Sequence, residues 1–314
     1  MKDHLSIRDR VLRALALNRT PGFHFPGNFL ELSFDQVAKT QTELSLEVGP
    51  HCADAQAEAD MAAVAVLADF ALGTAIRTNL DPATRLGTVS MTLELGAARR
   101  ESLVRATSRF HGFVGHGDGR IGRARVVLEG PAGEIGTGSG AFMVLKPPPN
   151  VELHPPPMRK RGDPAPPALL PDELTQRELR VLQYAEAAAA RAGSAGEPFL
   201  QHFWGLLPER ETDGASCTMA NGPHVGNRVG HVQGGVLLAL AAATANAGVA
   251  PGWTLGTISS AFIAPGEGAT LRAHARLVHR GQRLAVVRTE VMREDGRRVL
   301  DAISTHLPGT QRVT

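Results

Sequence analysis

The sequence predicts an α+β chain made of two tandem copies of one unit, each a long central helix wrapped by a curved antiparallel sheet. Three observations carry this. A proline-dense segment splits the chain into nearly equal halves, short sequences recur between the halves at a near-constant offset, and each half has an alanine-rich helix followed by alternating stretches joined by tight turns.

The divider is residues 147–171, PPPNVELHPPPMRKRGDPAPPALLP, which holds ten of the 21 prolines and almost no apolar period. Such composition makes a stiff, extended connection. It sets the expected boundaries: an N-terminal unit over 1–146, a linker over 147–171 and a C-terminal unit over 172–314. Equal halves call for a search for repeats. Gly49-Pro-His51 recurs as Gly222-Pro-His224 at an offset of 173, and Leu86-Gly-Thr-Val-Ser90 recurs as Leu255-Gly-Thr-Ile-Ser259 at 169. The four-residue difference falls in the loop after the helix, where length changes are tolerated. With the 173 offset, MAAVAVLADFALGTAI (61–76) lies over GGVLLALAAATANAGV (234–249), and small or apolar residues face each other at nearly every position.

The elements follow in order. Each half starts with a helical stretch, residues 5–18 and 172–192, the second opening at Pro171-Asp172-Glu-Leu. A strand and a loop lead to the apolar helix. Alternating stretches come next: TVSMTLEL, SLVRATSRF, RIGRARVVLE and IGTGSGAFMV in the first half, TISSAFIA, TLRAHARLVH, RLAVVRTEVM and RVLDAISTHL in the second. Short turns such as Gly117-Asp-Gly119 and Glu294-Asp-Gly296 favour antiparallel hairpins. A helix apolar on all sides must be enclosed, and a curled sheet encloses it.

Composition narrows the partners. The 33 basic and 31 acidic residues leave a net charge of +2 with no basic stripe, which argues against nucleic acid. Two cysteines, Cys52 and Cys217, make no disulfide framework or metal knuckle, and the twelve histidines show no paired ligand spacing, so no metal is expected. The N-terminal MKDHLSIRDR has no apolar run behind it, and the 234–250 segment is too short and too alanine-rich for a bilayer span. A soluble, cytoplasmic protein without membrane partners is expected.

Asn227, Gly230 and Gln233-Gly234-Gly235 before an apolar helix resemble the Asn…Gly…His-Gly-Gly signature of the phenylacetate-type and hydroxybenzoyl-CoA-type thioesterases, which have the hotdog fold. Phe262-Ile-Ala-Pro-Gly266, the run from His274 to Arg283 and Glu294-Asp-Gly296 are similar to the same family. The resemblance covers most of both halves and implies a tandem, double hotdog. It also implies an acyl-CoA substrate, no cofactor beyond the coenzyme A that the substrate carries, and a homodimer.

In that family the site lies between two subunits. One gives the Asn and the His-Gly-Gly loop; the other gives an acid nine positions after the start of its own His-Gly-Gly. Nine positions after Gln233 is Ala242, which carries no acid, but through the repeat Ala242 lies over Asp69. Where the second half has Asn227 and Gln233-Gly-Gly, the first has Asp54 and Asp60-Met61-Ala62. One composite site is therefore expected between the halves, with its mirror site lost.

The resemblance and the chemistry assign roles. Asp69, among apolar neighbours that raise its pKa, acts as general base or nucleophile. Gly234 offers a free N–H at a helix start as oxyanion donor. Gly235 lets the substrate approach the backbone, Asn227 orients water or thioester, and Ser90 hydrogen-bonds Asp69 or that water. Gln233 stands where the family has a carbonyl-holding His, with His231 as a nearby substitute. Arg280 and Arg283, with Arg120 and Arg123, are candidates for the coenzyme A phosphates. Two rival functions stay open. One is a non-catalytic acyl-CoA-binding scaffold. The other is a dehydratase or hydratase, suggested by His24-Phe-Pro-Gly27 but opposed by the roughly 35 residues between that motif and the helix.

Overall fold

The alternation seen in the sequence becomes a sheet with one face turned to two helices. In the strand Ile121–Gly130, for example, Gly122, Ala124, Val126 and Leu128 point inward while Arg123, Arg125 and Val127 face solvent. The computed structural model describes residues 6–81, 84–117, 119–146, 149 and 152–309. In chain order the elements of the first half are α1 (Ile7–Asn18), α2 (Phe25–Phe29), β1 (Ser33–Val37), β2 (Gln41–Glu47), α3 (Met61–Arg77), β3 (Arg85–Leu95), β4 (Leu103–Val114), β5 (Ile121–Gly130) and β6 (Gly133–Leu145). The second half repeats them: α4 (Gln176–Ala195), α5 (Phe199–Trp204), β7 (Glu209–Glu211), β8 (Gly214–Ala220), α6 (Gly234–Gly248), β9 (Trp253–Phe262), β10 (Thr270–Arg280), β11 (Ala285–Arg293) and β12 (Arg298–Pro308).

Among the described residues the twelve strands form one antiparallel sheet in the order β1-β2-β4-β5-β6-β3-β9-β12-β11-β10-β8-β7. The second half reads as the first half reversed, so the order has a pseudo-twofold centre. That centre is the β3–β9 pair, where Ser90 faces Ala261 and Glu94 faces Thr257. The short helices α2 and α5 and the edge strands β1 and β7 were not legible in the alternation pattern, because each is too short to show a period.

Helices α3 and α6 pack against each other and on the sheet. Along α3, Ala62 to Asp69 are all buried, as are Ala71, Leu72, Ala75 and Ile76. Small residues let the two backbones come very near. A Cβ on Gly235 would stand 2.6 Å from Val66 Cα and 2.7 Å from Ala65 O, so glycine is needed there for helix contact. One apolar core runs through both halves, joining Phe25, Phe29, Leu67 and Leu72 to Phe203, Trp204, Leu238 and Leu240. Among the described residues no helix is long and apolar enough to cross a membrane.

The described part of the 147–171 segment is extended, as its prolines require, but it is held against the first half. Phe34 N–H donates to Arg159 O at 2.8 Å, Arg161 N–H to Ser33 Oγ at 2.8 Å, and His154 N–H to Pro21 O at 3.0 Å. Leu153 is buried. Residues 147, 148, 150 and 151 of the segment lie outside the described ones.

Candidate functional site

The loop before each central helix has the same hydrogen bonds in both halves. Asn227 Oδ1 accepts from Val229 N–H at 3.0 Å and His231 N–H at 3.1 Å. At an offset of 173, Asp54 Oδ1 accepts from Gln56 N–H at 2.9 Å and Glu58 N–H at 3.0 Å. The bridges Gly226–Val232 and Ala53–Ala59 match in the same way. A short carbonyl-bearing side chain closing a turn two and four residues ahead is a local motif that Asn and Asp share. The loop delivers its last residue as the N-cap of the helix: Gln233 for α6, Asp60 for α3.

What each cap does differs. Gln233 Oε1 accepts from Val236 N–H at 3.0 Å, and Nε2 of the same amide donates to Asp69 Oδ2 at 2.5 Å. Asp60 accepts from Ala62 N–H at 2.8 Å and from Gln201 Nε2 at 2.8 Å. The residue of α6 that the repeat places over Asp69 is the buried Ala242. The halves thus bring Asp69 of α3 to the N-terminus of α6 on one side, while the equivalents on the other are Ala242 and the capping Asp60.

Asp69 is almost wholly buried, and that burial raises its pKa from 3.8 to about 7. Two groups pull the other way: Thr88 Oγ1 donates to Oδ1 at 3.1 Å, and the Gly235 N–H is turned toward the carboxylate. Charge on a carboxylate is disfavoured by desolvation and favoured by donors, and here desolvation wins. Gly234 leaves room for this cluster. A Cβ on it would stand 2.6 Å from Thr88 Oγ1 and 2.8 Å from Asp69 Oδ1. The Gly234 N–H, first in α6, makes no hydrogen bond to any described residue. It is a free donor at the positive end of a helix.

These groups open on a cavity of about 290 Å³. Asp69, Thr88, Asn227, His231, Gln233 and Gly234 all line it, and its apolar wall includes Phe34, Phe70, Phe142, Leu145 and Leu237. The exposed Ile263 and the half-buried Phe262 mark where it meets solvent. His231 is tied at that side between Arg85, 3.3 Å from Nδ1, and Glu267, 2.9 Å from Nε2; burial lowers its pKa.

The structure does not bring every sequence-predicted residue to Asp69 or the cavity. Ser90 does not reach Asp69. Thr88 pairs with Phe142 and Ser90 with Ala141, so Val89 is an extra residue that reverses the alternation there. Thr88 is thereby turned to the helix side that Met91 and Leu93 occupy further along. Gly235 admits the backbone of α3 rather than a substrate. Gln233 has both ends of its amide engaged, which leaves only its second Nε2–H for a substrate carbonyl. Asn227 spends its oxygen on the loop, although the residue still lines the cavity. Arg280 and Arg283 stand apart from it: Arg280 lies 5.9 Å over the Trp253 ring, and the β10–β11 hairpin packs with Trp253 against Ala245 and Val249 at the far end of α6. Arg120 lies over Phe113, 4.4 Å from its centroid, and neither it nor Arg123 lines the cavity.

Three residues without a role in the thioesterase reading of the sequence also line the cavity. Thr88 was hidden by the bulge. His24 stacks edge-on against Phe70 at 4.9 Å, brought there by α2 in spite of its distance along the chain, and its Nδ1 is buried without a partner. Arg77 stands eight residues after Asp69, a spacing that puts both on one helix face.

With this geometry in hand, similar proteins place the architecture. Residues 223–307 match the family model for the acyl-CoA thioesterase N-terminal domain. No curated protein matches the chain in sequence. The structure of a candidate oleoyl thioesterase from Lactobacillus plantarum is similar with a TM-score of 0.54 at 10% identity, over 87% of this chain and 98% of that one. A hot dog fold protein of unknown function from Alicyclobacillus acidocaldarius is similar with a TM-score of 0.50 at 14% identity, over 88% of this chain and 94% of that one. The large antiparallel sheet with its enclosed helices is therefore a hotdog architecture, and the acyl-CoA thioesterase match lies on the half that supplies Gln233 and Gly234.

Proposed function

We propose that the protein is a double hotdog acyl-CoA thioesterase with one composite site between its halves. The observation that carries this is Asp69 of the first half, held by Gln233 of the second, beside the unpaired Gly234 N–H at the start of α6 and on the wall of one cavity. Asp69 acts as general base: with a pKa near working pH it accepts a proton from water as the water oxygen bonds to the thioester carbonyl carbon. The Gly234 N–H and the α6 dipole stabilise the oxyanion. When the C–S bond breaks, the proton passes from Asp69 to the departing thiolate, and free acid and coenzyme A leave. Written this way the reaction consumes water and thioester, with no resident cofactor. The mirror position has Ala242 in place of the base, so the second site is silent.

The test is free-thiol release from a panel of short, medium, long and aromatic acyl-CoAs. Wild type should hydrolyse at least one, Asp69→Asn should lose about a hundredfold or more, the scale of a lost general base, and Ala242→Asp should gain nothing. Binding without thiol release across the whole panel selects a non-catalytic acyl-CoA carrier instead. A second reading, hydration of a 2-enoyl-CoA, is favoured by His24 on the same wall. Loss of enoyl conjugation without thiol release would select it.

A further inference from the structure

Arg77, the last residue of α3, is a cation that hydrolysis at Asp69 leaves unused. Eight residues separate the two, a rise of about 12 Å along the helix. Between them Phe70, Gly73 and Thr74 continue the same face, and all five residues line the cavity. Arg77 Nη1 donates to Thr84 O at 2.7 Å. Its other guanidinium nitrogens make no hydrogen bond, and no carboxylate pairs with it, among the described residues. Part of its surface stays accessible, on the wall of the cavity.

A second cation crowds it. Arg228 Nη1 donates to the same Thr84 oxygen at 3.2 Å, while its Nε and Nη2 donate to Gly22 O and His154 O, each at 2.7 Å. Arg228 is therefore satisfied as a clip between loops. Arg77 is not. Burial, aided by repulsion from Arg228, lowers its pKa to about 9. A guanidinium withdrawn from water without a counter-ion is costly, and an anion in the adjoining cavity would relieve that cost. Arginine is also the side chain best shaped to hold a carboxylate through two parallel N–H groups.

We propose that Arg77 binds a carboxylate at the far end of the acyl group, so that the site prefers ω-carboxyacyl thioesters over simple fatty acyl ones. This rests on the thioesterase reading, which fixes the thioester carbon beside Asp69 and Gly234. Whatever reaches Arg77 is then attached about 12 Å away down the α3 face. Phe262 and Ile263 mark the solvent side of the cavity, and with coenzyme A on that side the anion at Arg77 belongs to the acid.

The experiment compares suberyl-CoA with octanoyl-CoA, equal in chain length and different in the terminal carboxylate, in wild type, Arg77→Met and Arg77→Lys. Wild type should favour suberyl-CoA in kcat/KM, and Arg77→Met should lower that ratio about ten- to a hundredfold, the scale of a charge-assisted hydrogen bond. Arg77→Lys should retain part of it. A ratio within one protein is insensitive to the fraction folded. An unchanged ratio in Arg77→Met overturns the carboxylate subsite and leaves the thioesterase reading standing. Equal weakening of free coenzyme A binding also overturns it, by assigning Arg77 to a phosphate. If wild type hydrolyses neither these two nor any thioester of the panel, the thioesterase reading fails, and calorimetry with the suberate dianion decides the subsite alone: binding to wild type but not to Arg77→Met supports it, and equal or absent binding to both overturns it.

Discussion

Gln233 and Asp69 lie 164 residues apart in sequence, and one amide joins them: Gln233 Nε2 donates to Asp69 Oδ2 at 2.5 Å while its Oε1 caps α6. The acid is thus tied through one side chain to the helix terminus where the proposed oxyanion donor, the Gly234 N–H, lies. A base so placed works only when ionised. With a pKa of about 7, kcat/KM should fall tenfold per pH unit below that value and level off above it. Stability should run the opposite way. The folded-state pKa is raised above the unfolded value of about 3.9, so the folded chain binds more protons between roughly pH 4 and 7 and loses stability as pH rises through that window. Unfolding titrations of wild type and Asp69→Asn should converge at low pH, with Asp69→Asn relatively more stable at pH 8. A constant difference from pH 4 to 8 would show that Asp69 does not titrate there.

Thr88 and Ser90 separate a bonded hydroxyl from a bystander. Removing the Thr88 donor leaves the Asp69 anion less stabilised, so Thr88→Val should move the acidic limb of the rate profile to higher pH by a fraction of a unit to about one unit. Ser90→Ala should leave the limb in place. A shift in Ser90→Ala with none in Thr88→Val would contradict the bulge at Val89 as the device that selects between them.

The adjacent glycines should fail differently. Gly235→Ala pushes a methyl group into the α3 backbone at Val66, which has no rotamer to yield, and should cost about 1–3 kcal/mol of stability, seen as a lower urea midpoint at unchanged slope. Gly234→Ala meets side-chain ends, Thr88 Oγ1 and Asp69 Oδ1, so its main effect should be lost activity in a folded protein. Equal unfolding midpoints for Gly235→Ala and wild type would show that the helices have room to part.

The repeat made much of this legible. A fixed offset aligns Ala242 with Asp69 in the sequence alone, because both helices bury the same face against each other and so keep the same register. Periodicity also revealed the main strands. It missed whatever breaks period: the bulge that exchanges Ser90 for Thr88, the short helix α2 that carries His24 to the cavity, and the hairpin course that takes Arg280 and Arg283 to the other end of α6. Arg77 stands at helical spacing from Asp69, but a basic residue in a helix's last turn already has a sufficient reason to be there, the helix dipole, so sequence alone does not mark it as a ligand group.

Asn227 combines two roles that a pair of substitutions can split. Its Oδ1 closes the loop, and the equivalent Asp54 closes its own loop with the same two bonds, so Asn227→Asp should keep the turn. Asn227→Ala removes the one acceptor of both bonds and should cost about 1–2 kcal/mol, roughly 0.5–1 kcal/mol for each bond. Activity should follow a different order. The Asn227 amide nitrogen makes no bond to described residues, and the residue lines the cavity, so Asn227→Asp replaces a donor there with a charge that also disfavours ionisation of Asp69. The expected result is a protein of near wild-type thermal stability with much reduced kcat/KM and an acidic limb moved to higher pH. Full activity in Asn227→Asp at pH 8 would confine Asn227 to its turn and leave Gly234 as the donor on which the oxyanion depends.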